Sequence, residues 1–86
     1  MSRRELPSIT GRQLIQLFEK DGWVVGRETK HGRTVVKDFG AFKKVTFIPE
    51  KRKSPLPDIV LSQILGVKQT GIGKSGLAEL IDKYGL

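Results

Sequence analysis

The chain has 86 residues, enough for one small domain spanning 1–86; a chain of this size hides only about 60–65% of its unfolded surface, too little to enclose a large active-site cavity. Sixteen Lys and Arg against nine Asp and Glu leave a net charge of +7, which points to polyanionic partners. The absence of Cys excludes disulfides, thiolate metal ligands and a Cys nucleophile, and no apolar run exceeds three residues, so neither a membrane span nor a signal-peptide core is expected. The opening Met1-Ser2-Arg3-Arg4-Glu5, followed closely by Pro7, is too short for a transit peptide, and the expected location is the cytoplasm.

In chain order, Thr10 followed by Gln13 forms a capping-box signature, and Leu14, Ile15, Leu17 and Phe18 fall on one face of the helix it would start. Gly22 supplies a left-handed stop. Trp23-Val24-Val25 reads as a first strand. The polar segment Glu28 to Gly32 turns the chain into a second strand, Arg33 to Phe39. Gly40-Ala41 turns it again into a third, Lys44 to Ile48, stopped by Pro49. Glu50 to Pro57, with Lys51-Arg52-Lys53 and two prolines, reads as a loop. Pro57 and Asp58 suit the first turn of a second helix, with Ile59, Val60, Ile64 and Leu65 on its apolar face and Gly66 at its end. Leu77, Leu80, Ile81 and Tyr84 mark a last helix, stopped by Gly85.

Strands joined by such short links pair antiparallel, because parallel pairing needs a long crossover. Helices from both ends of the chain then cover one face of the sheet. The expected class is α+β, a two-layer sandwich in α-β-β-β-α order with an extra C-terminal helix. The other face, expected to be rich in Lys and Arg, is the natural place for a ligand. Trp23, Phe39, Phe42 and Phe47 have rings that can stack bases, but in so small a domain most are expected in the core.

The sole histidine, His31, lies in Thr29-Lys30-His31-Gly32-Arg33. Imidazole titrates near neutral pH, so His31 is either an acid/base group for phosphodiester chemistry or an ordinary exposed turn residue. RNA carries its own nucleophile in the 2′-hydroxyl, so one positioned base beside cations can cleave it without metal; Lys30 and Arg33 flank His31. Arg27, Lys37, Lys43 and Lys44 extend that basic character through the strands, as phosphate binding requires. One His and scattered acids leave no credible metal cluster, and no cofactor is expected. Thr70-Gly71-Ile72-Gly73-Lys74-Ser75 lacks the first glycine and the leading strand of a phosphate-binding P-loop. It fits better as the turn of a helix-hairpin-helix, whose amides grip a DNA phosphate, or as a plain cap and turn.

Taken together, Thr10-Gly11-Arg12-Gln13-Leu14-Ile15, Asp21-Gly22-Trp23, His31 after a hairpin, Val45 to Pro49, Leu56-Pro57 and Leu61-Ile64-Leu65 resemble the HicA (YcfA-like) toxins of toxin–antitoxin systems. The resemblance covers about residues 8–66 and leaves 67–86 as a C-terminal helical extension. It implies a double-stranded-RNA-binding-domain-like fold and an endoribonuclease (mRNA interferase) that cuts mRNA independently of the ribosome. It further implies that His31 is catalytic and that a HicB-like antitoxin protein neutralises the toxin by covering it. Where the family usually has Gly-Ser-His, this chain has Thr29-Lys30-His31, which bears on how phosphate approaches. The alternative is a binding module without catalysis, either double-stranded-RNA-binding-domain-like or helix-hairpin-helix.

Overall fold

The computed structural model describes residues 8–50 and 53–85; the first seven residues, Lys51 and Arg52 in the basic loop, and Leu86 lie outside them. The elements follow the expected order: α1 (Gly11–Lys20), β1 (Val24–Val25), β2 (Gly32–Asp38), β3 (Lys43–Pro49), α2 (Asp58–Leu65) and α3 (Gly73–Tyr84).

Helix α1 starts as its sequence dictates. The Thr10 hydroxyl accepts from the Gln13 amide at 3.1 Å and the Gln13 side chain accepts from the Thr10 amide at 3.0 Å, so two otherwise orphaned donors are satisfied. Gly22, at φ 97°, takes the chain out of the helix in a conformation other residues resist. Leu14, Ile15, Leu17 and Phe18 are all buried, the face that the periodicity gave.

The three strands form one antiparallel sheet in the order β1-β2-β3. Phe39 and Phe42 close the β2–β3 hairpin through a 2.8 Å backbone hydrogen bond. Gly40 has φ 91°, a backbone conformation that glycine adopts readily, which lets the chain reverse within two residues. At the other end Gly32 pairs with Pro49, and a Cβ on Gly32 would overlap the Ile48 carbonyl and lie 2.8 Å from Pro49 Cα. A Cβ on Gly11 would likewise overlap the Pro49 carbonyl. The starts of α1 and β2 and the end of β3 therefore meet at contacts that only glycine permits.

Helices α1 and α2 pack on the sheet, and α3 packs on α1 and α2 without touching it. Val35, Thr46 and Ile48 face the helices and are buried, and the core continues through Phe18, Trp23, Leu61, Ile64, Leu77 and Leu80. Trp23 sits between Phe18 and Phe39, with ring centroids 5.1 and 6.5 Å away. The Thr46 hydroxyl donates to the Gln69 side chain, tying β3 to the α2–α3 turn.

The structure corrects three expectations. The open sheet face is apolar, not basic: Val24 is 70% exposed, Val45 48% and Phe47 43%, and Val36 lies between them. The reason is register, because Arg33, Lys37 and Lys44 share the parity of buried Val35 and Thr46 and so lie on the helix side. Of the four large aromatics only Trp23 is core; Phe39, Phe42 and Phe47 are exposed. In α2 it is Leu61 that joins Ile64 and Leu65 inside, while Ile59 is exposed. Gly66 ends α2 as expected, in extended backbone (φ −70°, ψ 162°). Among the described residues no helix is long and apolar enough to cross a membrane.

Candidate nucleic-acid interface

His31 is the exposed tip of the turn between β1 and β2. The turn is shaped by one hydroxyl. Thr29 Oγ1 donates to the Gly32 carbonyl at 2.7 Å and accepts from the amides of His31 and Gly32, both at 3.2 Å. A hydroxyl has one proton and two lone pairs, so Thr29 uses its full capacity here. The Thr29 amide adds a bond to the Gly32 carbonyl at 3.0 Å. Behind the turn, the His31 carbonyl accepts from the Glu50 amide at 3.4 Å, anchoring the tip to the end of β3. Threonine at 29 is thus the residue that orders the loop presenting His31.

Of the six cations expected to hold nucleic acid, three are exposed and three work inside the protein. The side chains of Arg27, Lys30 and Lys43 are exposed and form no ion pair or hydrogen bond among the described residues. Arg27 and Lys30 flank the His31 turn in sequence. Lys43 lies at the far end of the ladder, opposite Asp38, about 20 Å away at the usual strand rise.

Arg33 lies between two carboxylates. It bonds to Glu28 at 3.1 Å and its Nε faces Glu50 Oε1 at 3.3 Å, the latter a charge contact without hydrogen-bond alignment. The Glu28 hydrogen bond raises the Arg33 pKa from its ordinary value, desolvation opposes it, and the Glu50 charge adds to the rise. The guanidinium therefore stays charged at every pH that the fold meets. Lys37 reaches the C-terminal end of α1, 3.2 Å from the Asp21 carbonyl and 3.5 Å from its carboxylate, where a cation favours the helix dipole. Lys44 donates to the Val67 carbonyl at 3.3 Å and lies over the Phe42 ring.

The Gly71–Gly73 segment joins α2 to α3 and follows a helix, not a strand. Buried Thr70 fixes it by donating its hydroxyl to the Ile64 carbonyl at 2.7 Å, and Gly71 and Gly73 both take positive φ, at 72° and 69°. A shallow cleft of about 300 Å³ between Leu65, Val67 and Lys74 lies beside it. A second, of about 370 Å³, lies between Asp21 and the Gly76–Lys83 side of α3. His31 lines neither cleft. Among the described residues no three His, Asp or Glu side chains gather as a metal site would need.

Sequence reasoning missed Glu28 and Glu50 as the residues that hold Arg33. The spacing of Glu28 and Arg33 across a short turn was the available signal, since hairpin closure places such positions side by side. The exposure of Phe39 and Phe42 carried no local signal. Comparison of the chain with models of known families, with curated proteins and with solved structures found no match.

Proposed function

We propose that the chain is a small endoribonuclease of the toxin kind, cleaving mRNA in the cytoplasm without metal, with His31 as its acid/base group. The observation that carries this reading is the sole imidazole standing exposed on an ordered turn beside the uncommitted cations Lys30 and Arg27. In the reaction the imidazole takes the proton of an RNA 2′-hydroxyl as that oxygen bonds to phosphorus. The bond from phosphorus to the 5′-oxygen breaks, and a proton returns to the leaving oxygen, giving a 2′,3′-cyclic phosphate and a 5′-hydroxyl. Lys30 stabilises the charge that builds on the phosphoryl oxygens, and Arg27 holds the neighbouring backbone. Arg33, fixed by Glu28 and Glu50, stiffens the base of the turn and adds positive potential there.

The α-β-β-β-α part of the chain is then the double-stranded-RNA-binding-domain-like body, and α3 buttresses α1 and α2. A HicB-like antitoxin neutralises such an enzyme by covering His31. The test is cleavage of a defined mRNA by wild type and His31→Ala in excess EDTA. Wild type cuts and the variant does not, with unchanged circular dichroism and unchanged RNA affinity. Equal cleavage by a folded His31→Ala protein removes the proposal.

The second reading, a binding module without catalysis, is favoured by Thr29-Lys30 standing where the family has Gly-Ser. It predicts salt-sensitive binding and intact RNA after long incubation with wild type. In its helix-hairpin-helix form, Gly73→Val abolishes DNA binding and His31→Ala leaves it alone.

A further inference from the structure

At the end of the ladder remote from His31, Phe39 and Phe42 stack on each other, centroids 5.1 Å apart and planes 21° apart. They are 45% and 54% exposed. A two-residue reversal at Gly40-Ala41 requires no aromatic on either side, so the pair is not explained by the turn. Phe39 rests edge-on against buried Trp23, which gives the stack a rigid base.

The surroundings are cationic. The Lys44 amine lies 5.8 Å from the Phe42 ring centre and contacts Val67, so the hairpin tip adjoins the α2–α3 turn with exposed Lys68. Lys43, by contrast, shares the parity of Val45 and Phe47 and stands on the other face of the sheet. The nearby acids are committed elsewhere: Asp38 accepts from the Gly40 amide at 2.8 Å, and Asp21 neutralises Lys37. Lys44 and Lys68 thus have no carboxylate partner among the described residues.

A ligand matching both features carries flat rings and negative charge. Lysine is depleted in protein–protein interfaces, whereas aromatic faces bordered by lysines suit bases and phosphates. In a duplex the bases are stacked inside and out of reach, so the matching form is single-stranded. We propose that the Phe39–Phe42 stack, bordered by Lys44 and Lys68, is a base-stacking subsite for single-stranded RNA. It deepens the endoribonuclease reading and rests on it for the identity of the nucleic acid. About 20 Å of strand separates this subsite from His31, so it grips an unpaired stretch distant from the cut.

The test uses the full chain carrying His31→Ala, so that RNA survives, with a fluorescein-labelled 12-nucleotide oligouridine and a 12-base-pair RNA duplex as probes. Adding Phe42→Leu, which keeps an apolar side chain but removes the ring, weakens oligouridine binding about tenfold. It leaves duplex binding within twofold, and Phe42→Tyr restores the single-strand affinity. Should Phe42→Leu lose its fold by circular dichroism, Lys44→Gln with Lys68→Gln takes its place. That pair weakens oligouridine binding and lowers its salt dependence by about two. Unchanged oligouridine affinity, or an equal loss for duplex and single strand, overturns the subsite and leaves the His31 assignment standing. Self-association that Phe42→Leu abolishes without altering RNA affinity makes the patch a protein interface and overturns it too. A parent protein that binds neither probe at low salt removes the RNA reading itself.

Discussion

At one end of the β2–β3 ladder the chain is held by polar contacts; at the other it is held by rings. The His31 end gathers the Thr29 hydroxyl, the Glu28–Arg33–Glu50 charges, the α1 cap and two glycines that allow backbones to touch. The tip at Gly40 has one turn bond, one carboxylate bond to an amide, and the Trp23–Phe39–Phe42 ring stack. Hydrogen bonds fix direction, and ring packing fixes only proximity. The difference suits the roles proposed, since acid/base chemistry needs an imidazole held in place while stacking tolerates many bases.

Substitutions can break that contrast in graded steps. The largest effect is expected from Gly32→Ala, where the new Cβ meets the Ile48 carbonyl and β2 must part from β3. A loss of roughly 2–4 kcal/mol in urea-measured stability is expected, against almost none for Ala41→Gly at the other turn. Thr29→Val removes the hydroxyl that makes three hydrogen bonds in the His31 turn. It costs about 1–2 kcal/mol and slows RNA cleavage, whereas Thr29→Ser retains both. Thr10→Ala opens the α1 cap against Pro49 at the same end and costs about 1 kcal/mol by thermal unfolding. The smallest change comes from Lys43→Gln at the tip, with stability within about 0.5 kcal/mol and the logarithmic salt slope of RNA binding reduced by about one. A Thr29→Val protein that unfolds and cleaves like wild type would dissolve the contrast between the two ends.

Much of the architecture was readable because its signals are local. Thr10 with Gln13, Gly22 after Asp21 and Gly85 after Tyr84 each act within a few residues of the element they bound. What could not be read was which side of each strand faces the helices. Val35 and Val36, and likewise Phe47 and Ile48, place apolar groups on both parities, so alternation alone does not choose a face. The docking of α1 on β3 makes the choice and carries Lys37 and Lys44 inward while leaving Val45 and Phe47 outside. At the candidate site His31 stood out from composition alone. The division of the six cations into committed and uncommitted groups depends on partners such as Asp21, sixteen residues from Lys37, and on the Val67 carbonyl, and no motif records those.

Among the described residues strand β3 has a neighbour on one side only. The bonds from Glu50 to the His31 carbonyl and from Phe39 to the Phe42 carbonyl set the phase of the ladder, so the main-chain groups of Lys43, Val45 and Phe47 point away from β2. Such a margin is a template on which identical chains can polymerise when concentrated. Its two ends carry natural deterrents: Lys43 brings like charges together in a stacked ribbon, and Pro49 has no amide to offer the next strand. Neutralising Lys43 would therefore shorten shelf life in concentrated solution while sparing the melting temperature. Storage at moderate ionic strength, where charge repulsion persists, follows as the practical rule.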